Sequence, residues 1–442
     1  MDVNAAIGLV SIFWKQVKIV LISTYELGHA PFGLASPKAW LRRDGHEVRC
    51  LDLAVERFED SAVGDADLIA FYLPMHTATR MAVPVIERVR RVNARARLAA
   101  YGLYAPLNAE LLRGLGIDAI AGGEFEPALA AFARGENAMP VALDRLHFVK
   151  PDRSDLAGDY ARLRIGTTSK QVAYTEASRG CKHLCRHCPV VPVYNGQFRI
   201  VQREIVIEDI RQQIAAGAQH VTFGDPDFFN GPTHAMRIVE ALHAEFPSVT
   251  YDATIKIEHL LKHRDLLPAL RDTGCLFITS AVESLDDTVL AKLEKNHTRR
   301  DFFEGVELTR EFGLTLQPTF IAFTPWTTVD GYRDFLRALA DLDLVENVAP
   351  VQLALRLLIP SSSRLLELDD IDIAPFDAKS LVYPWKHRDP EVDRLGAAAF
   401  RTVAGKGTRS EIFRRIAELA GLKDFHLVAR AAIPYLDEPW YC

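Results

Sequence analysis

The sequence predicts an α/β protein in which a doubly wound domain is followed by a partial (βα)6 barrel and a C-terminal extension. Two observations support this fold class. Short apolar, β-branched runs recur from Val17 onward, and segments with apolar residues near a 3.6-residue period separate several of them. The chain has 442 residues, which is enough for two or three domains that each bury a core.

The first strand–helix alternation predicts five strands and ends near residue 135. The runs are "VKIVLIST", "HEVRCLDLA", "LIAFYLP", "RLAAYGL" and "DAIAGG", and a helix is predicted over 81–93. Residues 136–170 contain Pro140 and Pro151 and show no sustained period, so they are expected to form a linker that wraps over a surface. The predicted domains are an N-terminal extension 1–16, an α/β domain 17–135, the linker 136–170, a barrel 171–362 and a C-terminal helical extension 363–442.

The second alternation predicts six further strands. They are "QVAYTEAS", "HVTFGD", "VTYDATI", "CLFITSAV", "TLQPTFIAF" and "VQLALRLLIP", with helices over 208–216, 236–245, 260–273 and 300–312. Six βα units in this length predict a partial parallel barrel rather than an eightfold one. An amphipathic helix is predicted over 410–420 in the extension.

Charge and cysteine usage exclude several classes of protein. The formal net charge of −6 arises from 52 basic and 58 acidic residues along the whole chain, so no nucleic-acid partner is predicted. Six cysteines are too sparse and clustered for a disulfide scaffold, which indicates reduced thiols. The apolar stretch 5–14 is too short to span a membrane. We therefore expect a cytoplasmic protein with no membrane partner.

Three cysteines lie within eight residues, "CKHLCRHC", directly after the first strand of the predicted barrel. Active sites of parallel barrels are built at this end of the strands, and thiolates suit both iron–sulfur clusters and zinc. A structural zinc site needs a fourth ligand, either His183 or His187, from inside the loop. A redox dithiol formed by Cys185 and Cys188 leaves Cys181 unused. A cluster with one open iron is favoured, and the two alternatives remain.

A [4Fe–4S] cluster held by Cys181, Cys185 and Cys188 leaves one iron free to chelate S-adenosylmethionine (SAM), whose reductive cleavage gives a 5′-deoxyadenosyl radical. In this motif the chain resembles the radical SAM superfamily over about residues 175–360. The resemblance implies a (βα)6 partial barrel and a radical SAM enzyme with an unidentified substrate. It also implies an electron donor such as a flavodoxin or ferredoxin.

The resemblance further implies residues that bind the cofactor. The family has an aromatic residue before the third cysteine, where this chain has His187. The segment "FGDPDFF" corresponds to the one that binds the methionine ammonium group, "SAVESLDD" to the ribose-binding segment, and "IAFTPWTT" to an adenine contact. The implied cofactor-binding residues are His187, Gly224, Asp225, Pro226, Asp227, Glu283, Ser284 and Ile321. Lys295 and Arg356 are further candidates for contacts with substrate or with the cofactor carboxylate.

The first domain is similar to cobalamin-binding domains in its opening segment, "PFGLASPKAWLRRDGHEVRCLDL", and in "AGGEFEPALAAF". Such domains carry the histidine that ligates cobalamin in an Asp-x-His-x-x-Gly loop. This chain has "YELGHAPFG" instead, with His29 and no Asp in position. Two interpretations stay open: cobalamin bound without histidine ligation, or a degenerate domain that shapes the substrate pocket.

The chain ends in "EPWYC" at Cys442. This ending resembles a group of radical SAM proteins whose C-terminus reads Cys-Cys-Ala-Glu-Pro or Cys-selenocysteine-Ala-Glu-Pro. The resemblance implies a selenocysteine codon after Cys442 and a tail thiol or selenolate that acts at the active site. The alternative functions are a cobalamin-dependent radical SAM methyltransferase and, from another class, a non-catalytic iron–sulfur or zinc module.

Overall fold

The computed structural model describes residues 16–137, 139–428 and 433–437. The strands are β1 (Lys18–Ser23), β2 (Glu47–Asp52), β3 (Leu68–Tyr72), β4 (Arg97–Tyr101), β5 (Ala119–Gly123), β6 (Val141–Ala142), β7 (Arg162–Ile165), β8 (Thr168–Thr175), β9 (Ser178–Gly180), β10 (Phe198–Ile200), β11 (His220–Phe223), β12 (Thr250–Thr254), β13 (Cys275–Glu283), β14 (Thr315–Phe320), β15 (Asp372–Ile373), β16 (Trp385–Lys386) and β17 (Tyr435–Asp437).

The α-helices alternate with these strands in both halves of the chain. They are α1 (Phe32–Arg43), α2 (His76–Val92), α3 (Tyr104–Leu107), α4 (Ala109–Gly114), α5 (Glu126–Ala133), α6 (Val191–Tyr194), α7 (Arg203–Ala215), α8 (Pro232–Glu245), α9 (Ile257–Lys262), α10 (Leu267–Asp272), α11 (Asp287–Lys292), α12 (Arg299–Glu311), α13 (Val329–Asp341), α14 (Pro390–Val403) and α15 (Arg409–Leu419). In the described part of the chain, no helix is long and apolar enough to cross a membrane.

The first domain is a parallel sheet in the order β2-β1-β3-β4-β5-β6, with an apolar cluster on each face. Its central strands are apolar throughout because helices cover both faces, and Leu21 and Phe71 are fully buried. The five predicted strands are confirmed. The sixth, β6, comes from the segment predicted as a linker, because the amides of Gly122 and Glu124 donate to the carbonyls of Pro140 and Ala142.

The second domain is a sheet in the order β14-β13-β12-β11-β8-β7-β17, in which β8 and β11–β14 are parallel. Strands β7 and β17 continue it as antiparallel strands beyond β8. The predicted sixth barrel strand is reduced to one parallel bridge between Phe323 and Arg356. Pro350 starts a 3₁₀ turn there, and the Gln352 side chain accepts the hydrogen bond of the Phe320 amide, so a side chain replaces part of a strand ladder.

The linker joins the two domains by buried ion pairs. Lys38 of α1, fully buried, contacts Asp152 at 3.4 Å and Asp155 at 2.8 Å. Arg153 donates to both carboxylate oxygens of Asp209 on α7, at 2.9 and 2.8 Å. Buried ion pairs are costly to break once one partner is removed. The linker therefore fixes the two domains against each other, while the exact division of the chain into domains stays a prediction.

Candidate active site

The three cysteines lie in a loop between β9 and α6, and this loop is closely fixed by its backbone. Gly180, which precedes Cys181, has a φ of +74°, and a Cβ there would lie 2.4 Å from the ring of Tyr194. Only glycine fits this position without strain. The amide of Cys181 then donates to the carbonyl of Gln197 at 3.0 Å. The glycine and this hydrogen bond thus fix the backbone conformation of the loop.

The thiols of Cys181, Cys185 and Cys188 are unbridged and largely buried. Burial and the neighbouring Cys185 and Cys181 raise the pKa of Cys188 to about 12. Two buried lysines stand beside them: Lys256 Nζ is 3.7 Å from Cys185 Sγ, and Lys295 is 3% exposed. Three soft donors among positive charges fit an iron–sulfur cluster, whose thiolate ligands carry negative charge.

Asn230, which is not part of the cysteine loop, forms hydrogen bonds with its backbone. Its Oδ1 accepts the amide hydrogen of Lys182 at 3.0 Å and lies 3.7 Å from Cys181 Sγ, and its Nδ2 donates to the carbonyl of Gly180 at 3.4 Å. Asn230 is fully buried. Second-sphere hydrogen bonds of this kind orient metal ligands. The residue was not predicted, because an asparagine after "FGDPDFF" carries no signal of its own.

Three potential ligands for the alternative zinc site lie close together in the structure. Cys181, His183 and Asp227 each offer one ligand atom, and these atoms lie within 4.8 Å of one another. The folded loop thus brings His183, one of the two histidines considered as a zinc ligand, beside Cys181. Among the described residues this group numbers three donors, one fewer than a closed zinc site requires.

Glu283, at the end of β13, contacts two other predicted site residues, His187 and Lys295. Its Oε1 is 3.1 Å from His187 Nε2 and 3.3 Å from Lys295 Nζ. Burial opposes ionisation, but Lys295 and His187 together lower the pKa of Glu283 to about 2. The residue has a φ of +69° and follows a register shift in β13, which turns its side chain out of the strand pattern. Strain at this position is typical of a functional site.

Ser284 and Ile321 continue this site. Together with Glu283 they line a cavity of about 210 Å³ beyond the ends of β13 and β14. The amide of Ile321 donates to the carbonyl of Glu283 at 2.8 Å. The structure thus brings the predicted ribose and adenine segments together, and their contacts with a cofactor remain a prediction.

Both aspartates of the "GDPD" segment contact residues from other parts of the chain. Asp225 accepts hydrogen bonds from the Ala177 amide at 2.9 Å and the Ser178 hydroxyl at 2.6 Å, and burial raises its pKa to about 7. Asp227 Oδ2 is 2.6 Å from His259 Nδ1. A Cβ on Gly224 would lie 2.1 Å from the Tyr174 hydroxyl, which explains the glycine. Pro226 is exposed. A cofactor-binding role for these four residues stays a prediction.

Two predicted residues lie elsewhere. The guanidinium of Arg356 stacks 3.4 Å from the centre of the Trp385 ring and donates to Asp393 at 2.7 Å. Arg356 also lines a cavity that it shares with residues of the first domain. Cys442, with the tail prediction attached to it, lies outside the described residues.

Two residues near the cysteines were missed. Lys256 is 5% exposed, and His297 is 6% exposed. Burial, followed by the charges of Lys295 and Lys256, lowers the pKa of His297 to about 4. Lys256 interrupts the apolar run "TIKI" at the end of a barrel strand, and that interruption was a readable signal.

A buried ionic network joins the cysteine loop to the first domain. Arg179, on β9, donates to both oxygens of Glu126 at 2.9 and 2.8 Å and to Glu176 at 2.6 Å. The Tyr194 hydroxyl, after the loop, donates to Glu124 at 3.0 Å. Glu124 and Glu126 belong to the "GGEFEP" segment that the sequence analysis singled out. That segment therefore holds the cysteine loop.

A mainly apolar cavity of about 600 Å³ lies beside this junction. It is lined by Met75, His76 and Tyr104, after β3 and β4, and by Phe323 and Arg356 of the barrel. Ligands of doubly wound domains bind at this carboxyl edge of the sheet. Tyr104 also packs in one apolar cluster with the cysteine loop, so the cavity adjoins the candidate cluster site.

Comparison with known families agrees with this arrangement. Residues 175–337 match the radical SAM superfamily, and residues 18–133 match the B12 binding domain. The fold and the site therefore define a protein with two domains, each of a type that binds a cofactor. The chain carries a radical SAM domain preceded by a B12-binding domain.

Curated relatives are distant. The chain is 26% identical over 321 residues to a hopanoid C-3 methylase of Methylococcus capsulatus, with 67% of this chain and 61% of that protein covered. It is 25% identical over 207 residues to the ribosomal protein uS12 methylthiotransferase RimO of Parabacteroides distasonis, with 43% and 46% covered. The chain thus spans less than two thirds of the length of either relative.

Solved structures share the fold. The cobalamin-dependent radical SAM enzyme OxsB matches 87% of this chain and 66% of its own at 14% identity, with a TM-score of 0.68. The radical SAM methyltransferase TsrM from Kitasatospora setae, with cobalamin and a [4Fe–4S] cluster bound, matches 91% of this chain and 99% of its own at 15% identity, with a TM-score of 0.62. At such identities the likeness shows the fold alone.

Proposed function

We propose that this chain is a radical SAM enzyme that cleaves SAM reductively and starts radical chemistry on a substrate still to be identified. One observation carries the proposal: three unbridged, largely buried thiols lie in a pre-shaped loop, and two buried ammonium groups from other segments lie beside them. A [4Fe–4S] cluster at Cys181, Cys185 and Cys188 would supply the electron for the cleavage.

The residues around the cysteines have distinct roles in this proposal. Lys256 and Lys295 offset the negative charge of the thiolate ligands, since both ammonium groups are within the electrostatic reach of Cys185. Glu283, ionised and fixed by His187 and Lys295, orients the cofactor at the cavity it shares with Ser284 and Ile321. Leu184, 44% exposed, brings the loop to the surface, where a flavodoxin or ferredoxin would deliver electrons.

Anaerobic reconstitution with iron and sulfide tests the proposal. The reduced wild-type protein is expected to convert SAM to 5′-deoxyadenosine or S-adenosylhomocysteine, and Cys188→Ala is expected to lose both cluster and turnover. Cys275→Ala is the matched control, because Cys275 is a buried thiol of β13 outside the loop. One bound zinc with no SAM cleavage in the wild type would contradict the proposal and support the non-catalytic alternative.

Cobalamin-dependent methyl transfer is a second candidate, and the B12-binding match and the cavity beside Tyr104 favour it. The apolar lining of the cavity beside Tyr104 suits one edge of the flat cobalamin macrocycle. His29 stacks on the barrel residue Tyr174 with ring centres 4.7 Å apart, and it does not line this cavity. The relatives named above are a methylase and a methylthiotransferase, which supports transfer of a carbon or sulfur group.

This second candidate has its own test. Cobalamin would supply a carrier for the methyl group, and binding without histidine predicts an absorbance spectrum of cobalamin lacking a nitrogen ligand from the protein. Reconstitution with hydroxocobalamin should give a retained, stoichiometric absorbance in the wild type. Gly102→Leu, which places a side chain 2.9 Å from the carbonyl of Leu73 at the sheet edge, should reduce retention. Absence of retained cobalamin in the wild type would leave only the SAM-cleaving function.

A further inference from the structure

A separate cavity of about 240 Å³ lies inside the barrel. The strands β8, β11, β12, β13 and β14 line it with inward-facing side chains, and the loop after β1 of the first domain enters it. Tyr174, Thr254 and Thr279 are among the polar residues on its wall. The cavity therefore combines both domains. It reaches Gly224 and Asp225 of the "GDPD" segment, but its lining does not include the cysteine loop or Glu283.

Glu26 is the unusual residue of this cavity. It comes from the first domain and is 6% exposed. The Tyr174 hydroxyl hydrogen-bonds to its carboxyl group, whereas its Oε2 has no hydrogen-bond partner among the described residues. Burial, followed by the neighbouring carboxylates Glu176 and Asp52, raises its pKa well above the usual range. A buried carboxylate is normally paired with a cation or fully hydrogen-bonded. One oxygen of this buried carboxyl group is thus left for a donor that the described residues do not provide.

Asp252 supplies a second carboxylate on the barrel side. It is 3% exposed, and its Oδ1 lies 2.9 Å from His220 Nε2 and accepts the Thr222 hydroxyl hydrogen at 2.6 Å. His220 Nδ1 is in turn 2.8 Å from the Thr250 hydroxyl. This chain fixes the carboxylate in the barrel wall, so Asp252 is positioned before any ligand arrives.

The cation that lines this cavity in the described structure is already engaged. Arg409, on α15, donates to the backbone carbonyl of Glu346 and stacks over the Tyr435 ring at 4.8 Å. Three buried acidic side chains, Glu26, Asp252 and the hydrogen-bonded Asp225, thus face this space together with several hydroxyls, while its arginine is engaged elsewhere. Such a lining favours a ligand that carries a cationic hydrogen-bond donor and disfavours an anionic one.

We infer that this cavity binds a primary ammonium group of the substrate, with Glu26 as its counterion and Asp252 as a second acceptor. The inference rests on the proposed function, because it identifies the cavity as the substrate site of a radical SAM enzyme. The substrate class is then a small amine or amino acid. Glu26 and Asp252 are binding residues in this scheme and have no part in holding the cluster.

The test compares two matched probes on the reconstituted, anaerobic full-length protein. Binding of 1-aminobutane and of 1-butanol is measured by ligand-observed NMR. The amine is expected to bind at least tenfold more tightly, and Glu26→Gln is expected to abolish that preference while leaving butanol binding unchanged. Glu110→Gln, an exposed glutamate of α4, is the control and should keep the preference.

Three outcomes would overturn the inference: equal binding of both probes, no amine binding to the wild type, or an amine preference retained in both Glu26→Gln and Asp252→Asn. Circular dichroism on each variant shows whether it is folded. The proposed function fails separately, because it is judged by SAM cleavage in the wild type. A sample that prefers the amine but does not cleave SAM would contradict the function and support the cavity.

Discussion

The cysteine loop and the carboxyl edge of the first domain lie side by side but are built differently. The loop fixes three thiols with a glycine of positive φ, a buried asparagine and two buried lysines. The edge offers an apolar cavity, and His29, which follows β1, stacks on the barrel residue Tyr174. A metal cluster needs particular donor atoms at fixed spacing, whereas a large organic ligand is held by the shape of its pocket. Only the metal site can therefore be recognised from a short sequence motif.

The largest expected effect follows from removing a thiol. Cys185→Ala should reduce the iron content of reconstituted protein from about four per chain to near the background, because three protein ligands are the minimum for this cluster type. Iron analysis and the visible absorbance of the cluster measure the change. Cys50→Ala, which alters a buried thiol of β2, should retain the iron. Full iron retention in Cys185→Ala would show that the loop does not hold the cluster.

The next effect concerns the link between the two regions. Arg179→Met leaves Glu126 and Glu176 buried without their cation, so the free energy of unfolding should fall by about 3–5 kcal/mol. Denaturant unfolding measures the loss. Arg91→Met, at an exposed position of α2, should change stability by less than about 0.5 kcal/mol. Equal stability of the two variants would mean that the domains are held together by packing alone.

A pH dependence should follow from Glu124 in the same network. Burial, opposed by Arg179, raises the pKa of Glu124 from its usual 4.5 to about 7. Its contribution to stability is present below pH 4.5 and is lost as the pH rises through about 7, because the folded chain retains the proton longer than the unfolded chain. Glu124→Gln should remove about 1–3 kcal/mol of this decline.

The measurement for Glu124 is the free energy of unfolding at several pH values between 4.5 and 8. Glu110→Gln, exposed on α4, should keep the wild-type slope. An unchanged slope in Glu124→Gln would assign the decline to other buried acids, such as Asp225, whose pKa is also raised to about 7 by burial.

The smallest expected effect is electrostatic. Lys256→Met removes a positive charge 3.7 Å from Cys185 Sγ, so the reduction potential of the cluster should fall by about 60 mV, a tenfold change in a one-electron equilibrium. A redox titration monitored by electron paramagnetic resonance measures the shift. Lys262→Met, exposed on α9, should leave the potential unchanged. A potential that is equal in both variants would show that Lys256 does not influence the cluster.

Sequence reasoning succeeded where the chemistry follows from local spacing. The three closely spaced cysteines and the central parallel strands of both sheets were predicted. The structure then brings His187, Glu283 and Lys295 together, because strand ends of a parallel barrel converge on one edge. The sixth barrel strand was predicted from an apolar run, but side-chain hydrogen bonding by Gln352 reduces it to a bridge. Periodicity does not reveal such a replacement.

The sequence by itself determined the spacing of the three cysteines and the order of the two domains, since both are read directly along the chain. Only the tertiary structure decided that Arg179 pairs with Glu126, that Lys256 stands beside Cys185, and that Glu26 reaches the barrel cavity. These contacts join residues that are tens to hundreds of positions apart. Their free energy comes from burial and charge pairing, which exist only once the domains have packed together.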